Sequence, residues 1–419
     1  MSRPPASASR PHPAVSLGPW YRGVQTAFRL TYFSRVRPAG TPPGPRRRPR
    51  LILASHRNGA LDGSIVLAAF PYAQHLVSLQ LLRGPLRALF DGIPVIRAKD
   101  VERYGMDRSK ITDPVTAGVA HLRDGGDLVI FPEGTSEWRH APGTHQRGAA
   151  KIWCRLQEEG VDVDVIPVGL LYSAPERFCS LAQPFLGPAI DLPEHTDAPR
   201  IEREKDAHRI MMAALDAVSV NCPDEATFDG VQARATVRAR AGESFAAAFL
   251  DEQAAAVAAD NTAAEAVVAS AASVPQAAPT TKASPAGTAA PSPWPRRLGL
   301  VLHWPVWPVL GAAWAVGRRA DARNTVSFFR VLGGAGATVV WAAVLVGAAV
   351  TGIATGHGPA TAAVAGCGLG SVLLGRVLLR ARRWQPDTAP LTSSTTSASQ
   401  SEPTSSTNPA RTSGTDPRI

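Results

Sequence analysis

Short apolar runs bounded by turn residues dominate the first half of this chain. Leu51–Ala54, Leu128–Phe131 and Val163–Val168 have the length and composition of buried strands. Asp113–Arg123 reads as a helix, opened by Thr112-Asp113-Pro114 and stopped by Asp124-Gly125-Gly126. Strand and helix signals alternate over residues 51–222. That alternation predicts a layered α/β domain, a mixed sheet flanked by helices. Upstream, Trp20, Val24 and Phe28 recur at helical spacing within 17–37, with Arg22, Arg29 and Arg35 interspersed. Such a helix either lies at a membrane interface or packs on the domain surface. Pro167 interrupts the Val165–Gly169 run, which predicts an edge strand or a bulge there.

The pattern changes in the second half. Residues 226–252 are polar to mixed and read as a helical extension of a domain spanning 15–225. Residues 253–295 are rich in Ala, Thr, Pro and Ser, cannot bury a core, and read as a disordered linker. Residues 296–384 read as a membrane-associated helical region containing two apolar stretches, 326–354 and 360–379. Each reaches the ~20 residues that a spanning helix needs. The loop between them, Thr355–Pro359, carries no Lys or Arg. Arg318, Arg319, Arg323 and Arg330 precede the pair, and Arg380, Arg382 and Arg383 follow it. The positive-inside tendency makes this a helical hairpin with both outer ends, and the preceding domain, on the cytoplasmic side. Gly352/Gly356 and Gly366/Gly370 have the small-residue spacing that lets helices approach closely. Leu298–Val316 is broken by Pro305 and Pro308 and carries Trp304, Trp307 and Trp314, so it reads as interfacial or re-entrant. The alternative for the whole region is a buried Ala/Gly-rich helical domain. Residues 1–14 and 385–419 read as a disordered leader and tail.

The net charge of +10 comes mostly from arginine, which suits phosphate or anionic-lipid contact. Aromatics are only 6% and no nucleic-acid module is recognisable, so no nucleic-acid partner is expected. The run Arg46-Arg47-Arg48-Pro49-Arg50 is either a solvated loop or a contact for anionic lipid. Four widely separated cysteines without a CxxC pair argue against a disulfide framework or a zinc site.

The candidate chemistry sits where strands end. His56 follows the Leu51–Ala54 strand, and Asp62 comes six positions later across Asn58-Gly59, which must turn the chain. An imidazole with a carboxylate partner is the minimum equipment of a positioned general base. The bland account is a structural histidine near a helix-capping aspartate. Arg97 ends the run Ile93-Pro94-Val95-Ile96-Arg97 and could grip a phosphate through its fork of donors. Arg57, beside the histidine, is a second phosphate candidate. Phe131-Pro132-Glu133-Gly134-Thr135-Ser136 closes another strand. There Glu133 could orient a hydroxyl or pair with an arginine, and amides around Gly134 could hold anionic oxygen. No GxSxG elbow, P-loop or HExxH motif occurs.

These four blocks in this order resemble the glycerophospholipid acyltransferase family, which includes the glycerol-3-phosphate and 1-acyl-sn-glycerol-3-phosphate acyltransferases. The resemblance covers residues 17–200 or so. In that family four residues usually separate the His from the Asp; here five do. The longer spacing resembles a subgroup that acts on glycerol 3-phosphate or dihydroxyacetone phosphate and has C-terminal membrane segments. The resemblance implies a membrane-bound enzyme of phospholipid biosynthesis. It would move a fatty acyl group from acyl-CoA or acyl-carrier protein, as co-substrate, to a glycerol-phosphate acceptor. His56 and Asp62 would be catalytic, and Arg57, Arg97, Glu133, Gly134 and Thr135 substrate-binding. No metal and no bound cofactor are implied. The competing expectations are an acyltransferase for a non-phosphorylated acceptor and a non-catalytic membrane-binding protein with a degenerate domain of this type.

Overall fold

The three apolar runs become strands of one eight-stranded sheet in a computed structural model, which describes residues 18–82, 84–95, 113–193, 198–270 and 294–381. The strands are β1 (Arg35–Val36), β2 (Ala39–Gly40), β3 (Arg50–Ala54), β4 (Gln74–Ser78), β5 (Ile93–Val95), β6 (Leu128–Ile130), β7 (Asp164–Tyr172) and β8 (Leu181–Leu186). Their order is β1-β8-β7-β3-β6-β4-β5, with β2 also on β8. All neighbours are parallel except β7 and β8, so the sheet is mixed.

β3 sits between β6 and β7, and every residue of it is buried. Alternate side chains serve the two faces, which is why the strand reads as a continuous apolar run. Ile52 and Ala54 join a core with helices α1 (Pro19–Tyr32) and α2 (Leu61–Val66). Leu51 and Leu53 join a second core with α3 (Pro114–Arg123), α4 (Gly148–Glu158) and α5 (Arg200–Ala217). The Asp113 carboxylate caps α3, accepting from the Thr116 amide at 3.0 Å.

Of the two expectations for the first helix, packing on the domain is the one observed. Phe28 and Tyr32 are buried in the first core, while Trp20 and Leu30 stay exposed. The arginine run is not simply solvated either. The Arg46 guanidinium and the Arg50 amide both donate to Asp127, at 3.0 Å each, tying the start of β3 to β6.

β7 is not an edge strand, despite Pro167. It pairs with β3 on one side and β8 on the other. The Pro167 carbonyl accepts from the Gly187 amide at 2.9 Å, so the edge of Pro167 that lacks an N–H faces β8. The β7–β8 register begins only at Val168, so the proline costs no bond of the β3–β7 ladder.

A third core joins Leu171 of β7 to α6 (Glu225–Ala241) and α7 (Phe245–Ser270) through Phe228, Val231, Phe245 and Phe249. Helix α7 therefore enters the stretch that composition reads as a linker. Its alanines explain this, because Ala is the strongest helix former. Residues 271–293 of that stretch lie outside the described residues.

The C-terminal region is helical: α8 (Trp294–Val301), a 3₁₀ turn (Trp304–Val306), α9 (Trp307–Gly317), α10 (Arg323–Ala354) and α11 (Gly358–Ala381). Arg323–Ala354 and Gly358–Leu379 are long and apolar enough to cross a membrane. Their most apolar windows are 0% and 17% buried, so a buried helical domain is not what forms. Val339, Val344, Leu345, Val350 and Ile353 instead project outward. Of the small-residue pairs, Gly352 makes the close approach: a Cβ there would lie 2.2 Å from the Thr361 Oγ1. Gly366 and Gly370 face open space.

Candidate active site

The loop after β3 folds around one carboxylate. Ser55 still belongs to the sheet, its amide donating to Val168 O (3.1 Å) and its Oγ accepting from the Leu170 amide (2.8 Å). Gly59, at φ +59°, then reverses the chain into α2, where Asp62 lies in the first turn. The five-residue spacing therefore still closes. Asp62 Oδ2 accepts from His56 Nδ1 at 2.8 Å and from the Arg57 and Asn58 amides at 2.7 Å each. The Tyr172 hydroxyl, at the end of β7, donates to Oδ1. Asp62 has no exposed surface. An isolated buried carboxylate is costly, and these four donors offset that cost. Burial, with Asp62 beside it, pushes the Tyr172 phenol well above its usual range, so Tyr172 stays a donor.

The His56 ring stacks on Phe131, with centroids 4.5 Å apart. With Nδ1 engaged by Asp62, Nε2 is the nitrogen left for the cavity that His56 lines. That cavity has a volume of about 670 Å³. Its apolar wall includes Leu67, Leu81, Phe90 and Phe131. Ser64, Ser78 and Thr135 supply polar groups, and Asp321, Ala322, Asn324 and Thr325, at the start of α10, close one side. A base in a half-apolar cavity of this size can deprotonate a hydroxyl of an amphipathic ligand.

The structure brings together His56, Asp62 and Thr135 and gives Glu133, Gly134 and Arg57 other surroundings. Glu133 does not face the cavity, because both its oxygens are engaged by backbone. Oε1 accepts from the His56 amide at 2.7 Å and Oε2 from the Gly143 amide at 3.2 Å. It braces the histidine loop. The Gly134 amide donates to Phe131 O at 3.0 Å, closing a turn that its φ of +69° permits. Arg57 turns away from the cavity into an aromatic slot, 3% exposed, over Trp138 at 4.7 Å and Phe228 at 5.6 Å. One of its nitrogens donates to Arg139 O at 2.7 Å. Burial lowers the Arg57 pKa to about 10 against the opposing pull of Glu133 and Asp62, so it remains a cation at neutral pH. Arg97 lies outside the described residues.

Tyr172 and His75 are site residues that motif reading misses. Tyr172 merely ends an apolar run, and His75 is a lone polar residue in β4. His75 lines the cavity, lies parallel to Phe131 and contacts Gly63 O through Nε2 at 3.2 Å. Burial lowers its pKa from 6.5 to about 4. The sign follows from proton binding: between pH 6.5 and 4 the unfolded chain holds a proton on His75 that the folded chain does not. Stability from this group is therefore complete above pH 6.5 and declines as pH falls toward 4, by roughly 3 kcal/mol in all. His75→Asn should flatten the melting temperature over that interval; an unchanged slope in pH-dependent thermal melts would refute it.

No group of three or more His, Cys, Asp or Glu able to hold a metal occurs among the described residues. No protein-family model matches the chain, and no curated protein matches its sequence. Among solved structures, the chain is similar to the 1-acyl-sn-glycerophosphate (LPA) acyltransferase PlsC from Thermotoga maritima. Identity is 16% and the TM-score 0.32, covering 46% of this chain and 78% of that one. A likeness of this size does not carry a role from one protein to the other.

Proposed function

We propose that this protein is a membrane-bound O-acyltransferase that moves a fatty acyl group from acyl-CoA or acyl-carrier protein to a hydroxyl of a glycerol-phosphate acceptor. The observation that carries the reading is the His56–Asp62 pair at 2.8 Å, beside a half-apolar cavity that His56 lines. The four ordered sequence blocks support the same reading.

In the reaction, Nε2 of His56 takes the proton of the acceptor hydroxyl as the oxygen attacks the thioester carbonyl. The imidazolium so formed lies against the Asp62 carboxylate. Collapse of the tetrahedral intermediate breaks the C–S bond, and His56 returns the proton to the departing thiolate. No acyl-enzyme forms. Arg97 grips the acceptor's phosphate, and Thr135 contacts the acceptor from the cavity wall. The apolar wall receives the start of the acyl chain. Helices α10 and α11 cross the bilayer as a hairpin, with the sheet domain on the cytoplasmic side, where the flanking arginines favour it.

The test is acyl transfer by the detergent-solubilised full chain from labelled acyl-CoA or acyl-carrier protein. Glycerol 3-phosphate and 1-acyl-glycerol 3-phosphate are offered in parallel. Product from glycerol 3-phosphate is the first acylation, and product from the lysolipid alone the second. No product from either acceptor with either donor overturns the proposal.

A further inference from the structure

The first turn of α10 does more than begin a membrane helix. Asn324 is 7% exposed and Ser327 is completely buried, both against the catalytic domain. The Ser327 hydroxyl donates to Asn58 Oδ1 at 2.6 Å, across 269 residues of chain. Asn58 is itself fully buried, and its amide donates to Asp62 Oδ2, the oxygen that holds His56 Nδ1. Asn324 Nδ2 donates to both the carbonyl (2.6 Å) and the Oγ (3.0 Å) of Ser136, next to Thr135 on the cavity wall. Its backbone carbonyl lies so near Gly59 that a Cβ there would stand 3.3 Å from it. One helical turn thus presses on both loops that build the cavity.

The neighbouring contacts hold that turn in place. Arg323 pairs with Glu176 at 3.0 Å and stacks on Trp138 at 4.8 Å, the ring that also carries Arg57. Arg330 donates to Glu176 O, and Phe328 packs on Phe90 with centroids 5.9 Å apart. A helix that served only as an anchor could meet the domain through apolar side chains. A buried hydroxyl bonded to the loop around Asp62 is costly to leave unpaired and fixes one arrangement of that loop.

We infer that Ser327 is a positioning residue for His56, acting through Asn58 and Asp62, so that the first turn of α10 is part of the active site. The inference rests on the acyltransferase reading for its kinetic arm only. Without the hydroxyl, Asn58 Oδ1 loses its donor, the Asn58 amide shifts from Asp62, and the imidazole loses its fixed orientation. Substrate contacts are untouched.

The experiment compares Ser327→Ala, Ser327→Thr and the outward-facing Val350→Ala in the full chain in lipid nanodiscs. Amide hydrogen exchange over residues 56–62 needs no turnover, so it decides the brace even if no acyl transfer is found. Ser327→Ala is expected to speed exchange there severalfold, with β3 and β7 unchanged. It should lower kcat about tenfold, the worth of one buried hydrogen bond, with both KM values kept. Ser327→Thr should regain most of kcat, and Val350→Ala should match the parent protein. Wild-type exchange over 56–62 in Ser327→Ala would overturn the inference. So would loss of protection throughout the sheet, which marks a general prop, or a raised KM with kcat kept, which marks a binding role.

Discussion

Replacing His56 by alanine should lower kcat/KM by roughly 10²–10⁴-fold, the usual contribution of a general base, and leave the fold intact. The expectation has two halves. The chemical half rests on the weakness of a neutral alcohol as a nucleophile toward a thioester. Among the described residues lining the cavity, the other imidazole is His75, which points Nε2 at Gly63 O and is held neutral by burial. The structural half rests on what alanine leaves behind. Asp62 keeps the Arg57 and Asn58 amides and the Tyr172 hydroxyl, so no buried charge is stranded. Glu133 keeps the residue-56 amide, which alanine also supplies. The ring is 13% exposed at the cavity edge, so its loss enlarges a cavity already open to ligand. The variant should melt within a few degrees of the parent, and added imidazole should restore part of the rate by occupying the space against Phe131. Turnover within twofold of the parent would sink the base assignment.

Much of this site is legible in the chain because its parts are local. His56 and Asp62 are six positions apart, and Asn58-Gly59 between them announces the turn that the φ of +59° at Gly59 realises. The three apolar runs around them become neighbouring strands because short apolar runs bounded by turn residues suit strands covered on both faces. What escapes the chain is the direction of side chains after the turn. Arg57 looks like a phosphate ligand by position, yet alternation beside His56 sends it to Trp138 and Phe228, residues 81 and 171 positions away by numbering. Glu133 looks like a cavity carboxylate, but two backbone amides from separate loops converge on it. Pro167 looks like an edge residue, because sequence does not say which side of the strand its missing donor faces. Asn324 and Ser327 belong to no motif in the sequence, and only the packing of their helix on the 55–60 loop gives them a role.

Asp62→Asn should lower kcat by about 10²–10³-fold, comparable to deleting one preorganised charge-stabilising group, with little change in melting temperature. Asparagine has one carbonyl oxygen and one amide nitrogen to place. Three donors, His56 Nδ1 and the Arg57 and Asn58 amides, converge on the Oδ2 position. The oxygen must take that place, since an NH₂ group there would face two backbone N–H donors. The nitrogen then falls at Oδ1, opposite Tyr172, whose hydroxyl can rotate to accept. The histidine therefore keeps its tautomer, and what is lost is the negative charge beside the developing imidazolium. Asp62→Ala is a poorer probe. It strands two buried amides and the Tyr172 hydroxyl at ~1–3 kcal/mol each, a large part of the ~5–15 kcal/mol that holds a typical domain together. Alanine should thus lower stability and activity together, while asparagine separates them. Steady-state kinetics of the Asn variant beside its thermal melt make the comparison. Near-parental kcat in a folded Asp62→Asn protein would mean that the carboxylate holds the loop and contributes no charge to the chemistry.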